Sequence, residues 1–296
     1  MKKLFALALG LLALLGQPAW AMNVVATTSS MGMLARAVGG ETVRVSVLAP
    51  PDRDPHMLQA KPSMMRALRD ADLVVAVGAE LEMGWLPAAI RGAANPKLLP
   101  GRPGYFEAAA QVALLDAGQV ADRAMGDVHP AGNPHVNMDP ARMAVIARAL
   151  AERLGRLQPD QAGGFRERAA RFAAAVDARL PDWKARARGA PGAVLYHKDG
   201  DYLLSLLGLP VLGYVEPVPG VPPTATHLAS LTGKLKGRRG VILYHAYQPS
   251  QGPEKLASAL GWQAVVVPLE PEAGGDAQAY FRLIDAWVGA LATAKE

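Results

Sequence analysis

The chain has no cysteine among its 296 residues, so we expect no disulfide, no thiolate metal ligand and no lipid anchor on a cysteine. It also lacks any apolar run of the roughly 20 residues that a membrane-spanning helix needs. A dense basic block with interleaved aromatics is missing too, so the net charge of +5 does not indicate a nucleic-acid partner. With 51% hydrophobic and 19% charged residues, the composition is that of a globular protein.

The N-terminal residues have the pattern of a secretory signal. Lys2 and Lys3 precede an apolar run from Leu4 to Leu15, and Ala19-Trp20-Ala21 has the small-x-small pattern of a cleavage site. We therefore predict a cleaved signal peptide over residues 1–21 and a periplasmic product without a lipid anchor. A retained N-terminal anchor helix is the alternative, and the cleavage pattern argues against it.

Strand-like and helix-like segments alternate along most of the remaining chain. Asp72-Leu73-Val74-Val75-Ala76-Val77 is a continuous apolar run that ends at Gly78, which is typical of a strand buried on both faces of a parallel sheet. Such alternation predicts an α/β fold with two lobes, each a mostly parallel sheet flanked by helices. Predicted strands cover 23–28, 42–48, 72–77, 193–196, 211–215, 240–244 and 264–269.

A long helical stretch between the two halves is predicted to connect them rigidly. The helical pattern extends from Pro159 to Arg188. Pro181 lies inside it, and we expect the helix to end or to kink there. The predicted organisation is thus an N-terminal α/β lobe over 22–158, a connecting helix over 159–188 and a C-terminal α/β lobe over 189–296.

Three of the six histidines lie in loops next to predicted strands or helices. His56 follows a strand in Asp54-Pro55-His56, His135 precedes a long helix, and His197 follows a strand that ends at Tyr196. Ligands of open α/β sheets gather beyond the carboxyl ends of the strands. Their separations match no local zinc motif, so spacing alone favours a structural role for each histidine over a metal-binding one.

Several motifs together resemble one known family. They are Asp54-Pro55-His56 with Lys61-Pro62-Ser63, the run Ala71 to Val75 with Gly78, Asn133-Pro134-His135 with Asp139-Pro140, and Tyr196-His197. In this order the chain resembles the solute-binding proteins of zinc and manganese ABC transporters that have a long connecting helix. The resemblance covers essentially all of the chain after the signal.

The resemblance implies a metal site shared by the two lobes. His56 and His135 would come from the first lobe and His197 from the second, with a carboxylate from the loop after the last strand. Glu270 is the predicted fourth ligand because it directly follows that strand; Glu272, Asp276 or water are the alternatives. The resemblance also implies delivery of the ion to an ABC permease by a monomer that is not an enzyme.

The sequence leaves the role of most other candidate polar residues open. His129 and Asp127 are candidates for auxiliary metal capture or for solvated loop positions, and His245 is either a further ligand or structural. His227 is expected to be structural, and Glu216 to support a ligand, form an ion pair or face solvent. The methionines Met57, Met64 and Met65 fall at helical spacing and are expected in the core rather than in a copper site.

Three neutral imidazoles and one carboxylate suit tetrahedral zinc, which is the predicted ion. Manganese prefers more oxygen ligands and is the alternative. A zinc-dependent hydrolase is the rival class, although the chain has neither His-Glu-x-x-His nor Gly-x-Ser-x-Gly. An interaction protein on the same scaffold is a second rival.

Overall fold

The computed structural model describes residues 21–118 and 129–295, which form two four-stranded parallel sheets. The predicted signal peptide lies outside the described residues, apart from Ala21. Within the described part, no helix is both long enough and apolar enough to cross a membrane.

The first sheet has the strand order β2-β1-β3-β4, and helices connect its parallel strands. Val24, Leu73 and Val75 are fully buried in it, as their apolar runs predict. Its elements are β1 (Met22–Ala26), α1 (Ser29–Gly39), β2 (Val43–Val47), α2 (Pro62–Arg69), β3 (Leu73–Ala76), α3 (Leu86–Ala93) and β4 (Tyr105–Glu107).

Two long helices follow the first sheet. They are α4 (Pro140–Leu157) and α5 (Ala162–Ala187), which pack along each other. Of the two outcomes predicted for Pro181, an end or a kink of the helix, the end does not occur, because the proline lies inside α5 and the helix continues to Ala187. Phe165, Phe172 and Trp183 on this helix are buried against α1 and the C-terminal helix, which keeps the helical path across the proline. The division into domains at 158 and 188 stays a prediction.

The second sheet repeats the arrangement with the order β6-β5-β7-β8. Both sheets have the same strand order in sequence terms, so the carboxyl ends of β5 and β7 lie side by side in its centre. Its elements are β5 (Ala193–Leu195), α6 (Asp201–Leu207), β6 (Val211–Tyr214), α7 (Ala225–Leu235), β7 (Val241–Tyr244), α8 (Gln251–Leu260), β8 (Gln263–Val266) and α9 (Ala277–Thr293). The predicted fold class of two parallel-sheet α/β lobes is confirmed.

Side-chain hydrogen bonds join the two lobes close to His135. The Asn133 Nδ2 donates to the Lys198 carbonyl at 2.8 Å, and the Tyr202 hydroxyl donates to the Asn133 carbonyl at 2.7 Å. On the other side, Asn137 Nδ2 donates to the Leu269 carbonyl at 3.1 Å, and the Tyr280 hydroxyl donates to the Asn137 carbonyl at 2.8 Å. The segment 133–137 is therefore bonded to the second lobe on both sides of His135.

Candidate metal centre

His56, His135 and His197 lie together where the two lobes meet. Their ring centroids are 5.3 to 5.4 Å apart, and one ring nitrogen from each lies within 4.8 Å of those of the other two. In tetrahedral zinc sites the ligand nitrogens are roughly 3.4 Å apart, given Zn–N bonds of about 2.0–2.1 Å. Only a small inward movement of the rings would bring all three to one ion.

The loop after β2 fixes the orientation of His56. Asp54 is the N-cap of the short helical turn Pro55–Met57 and accepts a hydrogen bond from the His56 backbone N–H at 2.9 Å. The same Asp54 Oδ1 lies 2.8 Å from His56 Nδ1. A carboxylate can only accept there, so Nδ1 holds the proton and Nε2 presents its lone pair.

His197 is held in the same way by a residue from the next strand. Its Nδ1 lies 2.9 Å from Glu216 Oε2, just beyond the end of β6, and the carboxylate also accepts from the Gly220 N–H at 3.0 Å. Of the readings left open for Glu216, the structure shows a side chain paired with His197 rather than a solvated one. Burial opposes a charge on His197, but the Glu216 bond and the carboxylates of Asp199 and Asp54 outweigh it and raise its pKa.

His135 is the most buried of the three, with 3% of its surface exposed. Its backbone N–H donates to Asn133 Oδ1 at 2.9 Å, which fixes the loop, while its Nε2 is buried without any hydrogen-bond partner in the described structure. Burial lowers its pKa well below the usual value, and the neighbouring His56 and His197 lower it further. His135 is thus a neutral imidazole, and a buried nitrogen with a vacant lone pair is costly unless it binds something.

Glu270 does not belong to this group of three. Its carboxylate accepts a hydrogen bond from the Ser30 N–H at 2.5 Å and lies 3.4 Å from Asn137 Nδ2. Burial raises the pKa of Glu270 to about 7, although the bonds from Ser30 and Thr28 oppose this. Its assignment as the fourth ligand stays a prediction.

The two alternatives for the fourth ligand are engaged elsewhere. Glu272 is exposed and forms an ion pair with Arg282 at 2.8 Å. Asp276 is the N-cap of α9 and accepts from the Ala279 N–H at 3.0 Å. Neither carboxylate falls within the histidine group of the described structure.

His129 lies beside the group, with its Nε2 only 3.2 Å from His56 Nε2. Its ring centroid is 5.2 Å from that of His56. Because the His56 Nε2 presents a lone pair, the His129 Nε2–H is the donor in this contact. The other auxiliary candidate, Asp127, lies outside the described residues.

Both ring nitrogens of His245 are bonded to oxygen atoms, and Nε2 of His227 is bonded as well. His245 Nδ1 donates to the Val267 carbonyl at 2.8 Å and its Nε2 lies 2.7 Å from Asp199 Oδ2, with both side chains buried. Burial opposes a charge on His245, but Asp199 outweighs it and raises its pKa. His227 Nε2 is bonded to the Tyr214 carbonyl at 2.9 Å, where its role is structural.

Sequence reasoning missed the partners Asp54 and Asp199 as functional residues. Asp54 stands two residues before His56, and a carboxylate at that distance that also caps a turn is a usable signal. Asp199 stands two residues after His197 but bonds to His245, 46 residues away, which no local pattern reveals.

The relatives of the chain include two proteins of zinc binding or zinc uptake. The chain is 26% identical over 263 residues to the zinc-binding lipoprotein AdcA of Streptococcus pneumoniae, covering 84% of this chain but only 50% of AdcA. It is 26% identical over 290 residues to the high-affinity zinc uptake system protein ZnuA of Paracoccus denitrificans, covering 86% and 84% of the two chains. The chain thus spans about half the length of AdcA.

The fold is shared with the solute-binding protein FpvC of Pseudomonas aeruginosa, solved with Mn²⁺. That structure superposes with a TM-score of 0.78 at 23% identity and covers 93% of this chain and 98% of FpvC. A sequence profile of the family described as zinc-uptake complex component A, periplasmic (ZnuA), matches residues 24–294. Since the match extends over nearly all of the described sequence, the chain belongs to this family.

Proposed function

We propose that the protein binds one divalent metal ion, zinc, through Nε2 of His56, His135 and His197 and delivers it to an ABC permease. The observation that carries the proposal is the orientation of the three rings. Two have their Nδ1 held by carboxylates, and the third has a buried Nε2 without a partner. Carboxylate-supported imidazoles are the usual arrangement around bound zinc.

The donor set favours zinc over manganese. Three imidazole nitrogens complete three corners of a tetrahedron, whereas manganese prefers more oxygen ligands. Glu270, or a water molecule, would complete the coordination in this proposal. A shift of the Glu270 carboxylate away from Ser30 is required for that, and the buried carboxyl would bind as the anion.

The site joins the two lobes, because His56 comes from the loop after β2 and His197 from the loop after β5. A bound ion would therefore hold the lobes together, and the permease would recognise the joined form. We further propose export to the periplasm as a monomer free of a lipid anchor. The relatives include lipoproteins, so retention of the chain at a membrane is the outcome that would contradict this point.

The test is competitive metal titration of the purified mature protein. We expect one zinc ion per chain in the isolated protein by elemental analysis, and displacement of manganese by zinc at far lower concentration. Assays with generic ester and peptide substrates on the zinc-loaded protein separate transport from hydrolysis. Turnover of either substrate, or a lack of stoichiometric metal, would contradict the proposal.

A further inference from the structure

The three histidines line a cleft that is far larger than a metal ion. Its volume is about 1340 Å³, and it is lined by segments of both lobes. A water molecule occupies about 30 Å³ in the liquid, and pockets for organic ligands measure about 300–1,000 Å³. The cleft therefore has room for an organic molecule next to the ion.

The carboxylates that line the cleft already have cationic or imidazole partners. Asp54 bonds to His56 and Glu216 to His197, so a bound divalent ion would offset the charges of these two carboxylates. Asp199 faces His245, whose two ring nitrogens both have oxygen partners, as expected of a charged imidazolium. With zinc bound, the acidic side chains of the cleft would have their charges balanced.

Three basic side chains that line the same cleft have no carboxylate partner in the described part of the chain. Arg53 and Lys61 line it from the first lobe and Lys255 from the second. Among the described residues none of these three side chains forms a salt bridge. Other basic residues do, such as Lys198 with Asp116. A zinc-loaded cleft would thus retain an excess of about three positive charges.

This excess disfavours a bare divalent cation and favours an anionic complex of it. With an exchangeable water molecule rather than Glu270 as the fourth ligand, the three imidazoles leave one position of a tetrahedral zinc ion open to an outside ligand. A carboxylate oxygen in that position would place the remaining carboxylates of the same molecule among the basic side chains. Basic groups on both lobes would then contact one anion.

We propose that the cleft binds zinc together with a small hydroxypolycarboxylate, one of whose carboxylates is the fourth ligand while the others contact Arg53, Lys61 and Lys255. This inference rests on the proposed zinc site and adds the chemical class of a second ligand. The observations that carry it are the volume of the cleft, its unbalanced positive charge and the open coordination position.

The test uses citrate as the probe and native mass spectrometry of the full mature chain as the measurement. We expect zinc-loaded protein to retain one citrate, and metal-free protein to retain none at the same concentration. L-Histidine, which chelates zinc without excess negative charge, should not form an equally stable ternary complex. Equal retention of histidine and citrate, or a zinc-loaded protein that binds no citrate, would overturn the proposal.

Variants locate the second ligand. The triple variant Arg53→Gln, Lys61→Gln, Lys255→Gln should weaken citrate binding to the zinc-loaded protein about tenfold or more. Lys61→Gln with Lys255→Gln keeps the loop of His56 intact and should show an intermediate loss. The matched control is Lys234→Gln, Lys236→Gln, Arg238→Gln, which removes the same charges outside the cleft and should bind citrate as the parent does. An equal loss in the control would overturn the proposal.

Zinc affinity in chelator-free buffer is measured on the same proteins. Failure of the parent to bind zinc there would refute the proposed function itself. Normal zinc binding without citrate retention would refute only the second ligand.

Discussion

The second sheet contains two Tyr-His pairs at equivalent positions, and only one of the histidines has a nitrogen available for a ligand. Tyr196-His197 follows β5, and Tyr244-His245 stands at the end of the adjacent parallel strand β7, with Tyr244 as its last residue. His197 has one ring nitrogen bonded to Glu216, whereas both nitrogens of His245 are occupied, by Val267 and Asp199. At these two strand ends, the number of hydrogen-bond acceptors around the imidazole, and not its place on the sheet, decides whether a ring nitrogen is left for a metal ion.

The largest effect is expected for His197→Ala. Zinc affinity should fall at least a hundredfold, because one of three protein ligands is lost, while the melting temperature of the metal-free protein changes little. Competitive titration against a chromophoric chelator gives the affinity. His56→Ala and His135→Ala should behave alike, and unchanged affinity in all three would show that the site is misplaced.

His245→Ala should show the reverse pattern. It leaves the buried Asp199 carboxylate without its partner, which costs about 3–5 kcal/mol when a buried ion pair is broken. Urea unfolding of the metal-free protein measures this loss. Zinc affinity should change less than tenfold at temperatures where the variant is folded, and a loss as large as that of His197→Ala would make His245 a ligand.

Glu216→Gln tests the support of His197. The neutral amide keeps the shape but weakens the hold on Nδ1, and loss of such a support lowers metal affinity about 10–100-fold. Glu254→Gln, on the exposed face of α8, is the control and should leave zinc affinity unchanged. Equal affinities for Glu216→Gln and the parent would leave the carboxylate without a role at the metal.

Glu270→Gln is expected to weaken zinc binding less than any histidine variant, and Glu272→Ala is expected to weaken it less still. Its effect on stability depends on pH. The folded-state pKa of about 7 exceeds the usual 4.5, so stability from the protonated carboxyl is present below pH 4.5 and is lost as pH rises through 7.

The amide of Glu270→Gln cannot ionise. The free energy of unfolding of the variant, relative to that of the parent, should therefore rise by about 2 kcal/mol between pH 5 and pH 8. Urea unfolding with excess chelator measures this difference. A constant difference across the range would mean that Glu270 ionises normally in the folded protein, and a zinc loss as large as that of His197→Ala would support its role as the fourth ligand.

Much of the fold follows from local sequence patterns. The apolar runs at β1, β3, β5 and β7 predict buried parallel strands, and the alternation with helices predicts the two lobes. The short strand β4 at Tyr105–Glu107 was not predicted, since three residues carry too little pattern. The sequence left open whether α5 ends or only kinks at Pro181, because the tertiary packing of Trp183 beyond the proline is invisible in the sequence.

The candidate site could be predicted only in part. Strand-end positions select His56 and His197, yet the same rule selects His245 equally. His135 precedes a helix, so only the family resemblance indicated it. The partners that separate them, Glu216 and Asp199, are 19 and 46 residues away from the histidines they contact. Likewise, the contact of Glu270 with Ser30 joins residues 240 positions apart, which spacing cannot reveal.

The hydrogen bonds of Asn133 and Asn137 have a consequence for how the proposed site would assemble. Because both residues that flank His135 are bonded to the second lobe, a rotation of one lobe against the other would carry His135 along with His197. His56 alone would change its distance from the other two. The ion would then bind first to His135 and His197, whose separation stays fixed. Binding of His56 would complete the site and distinguish the metal-loaded form from the empty one.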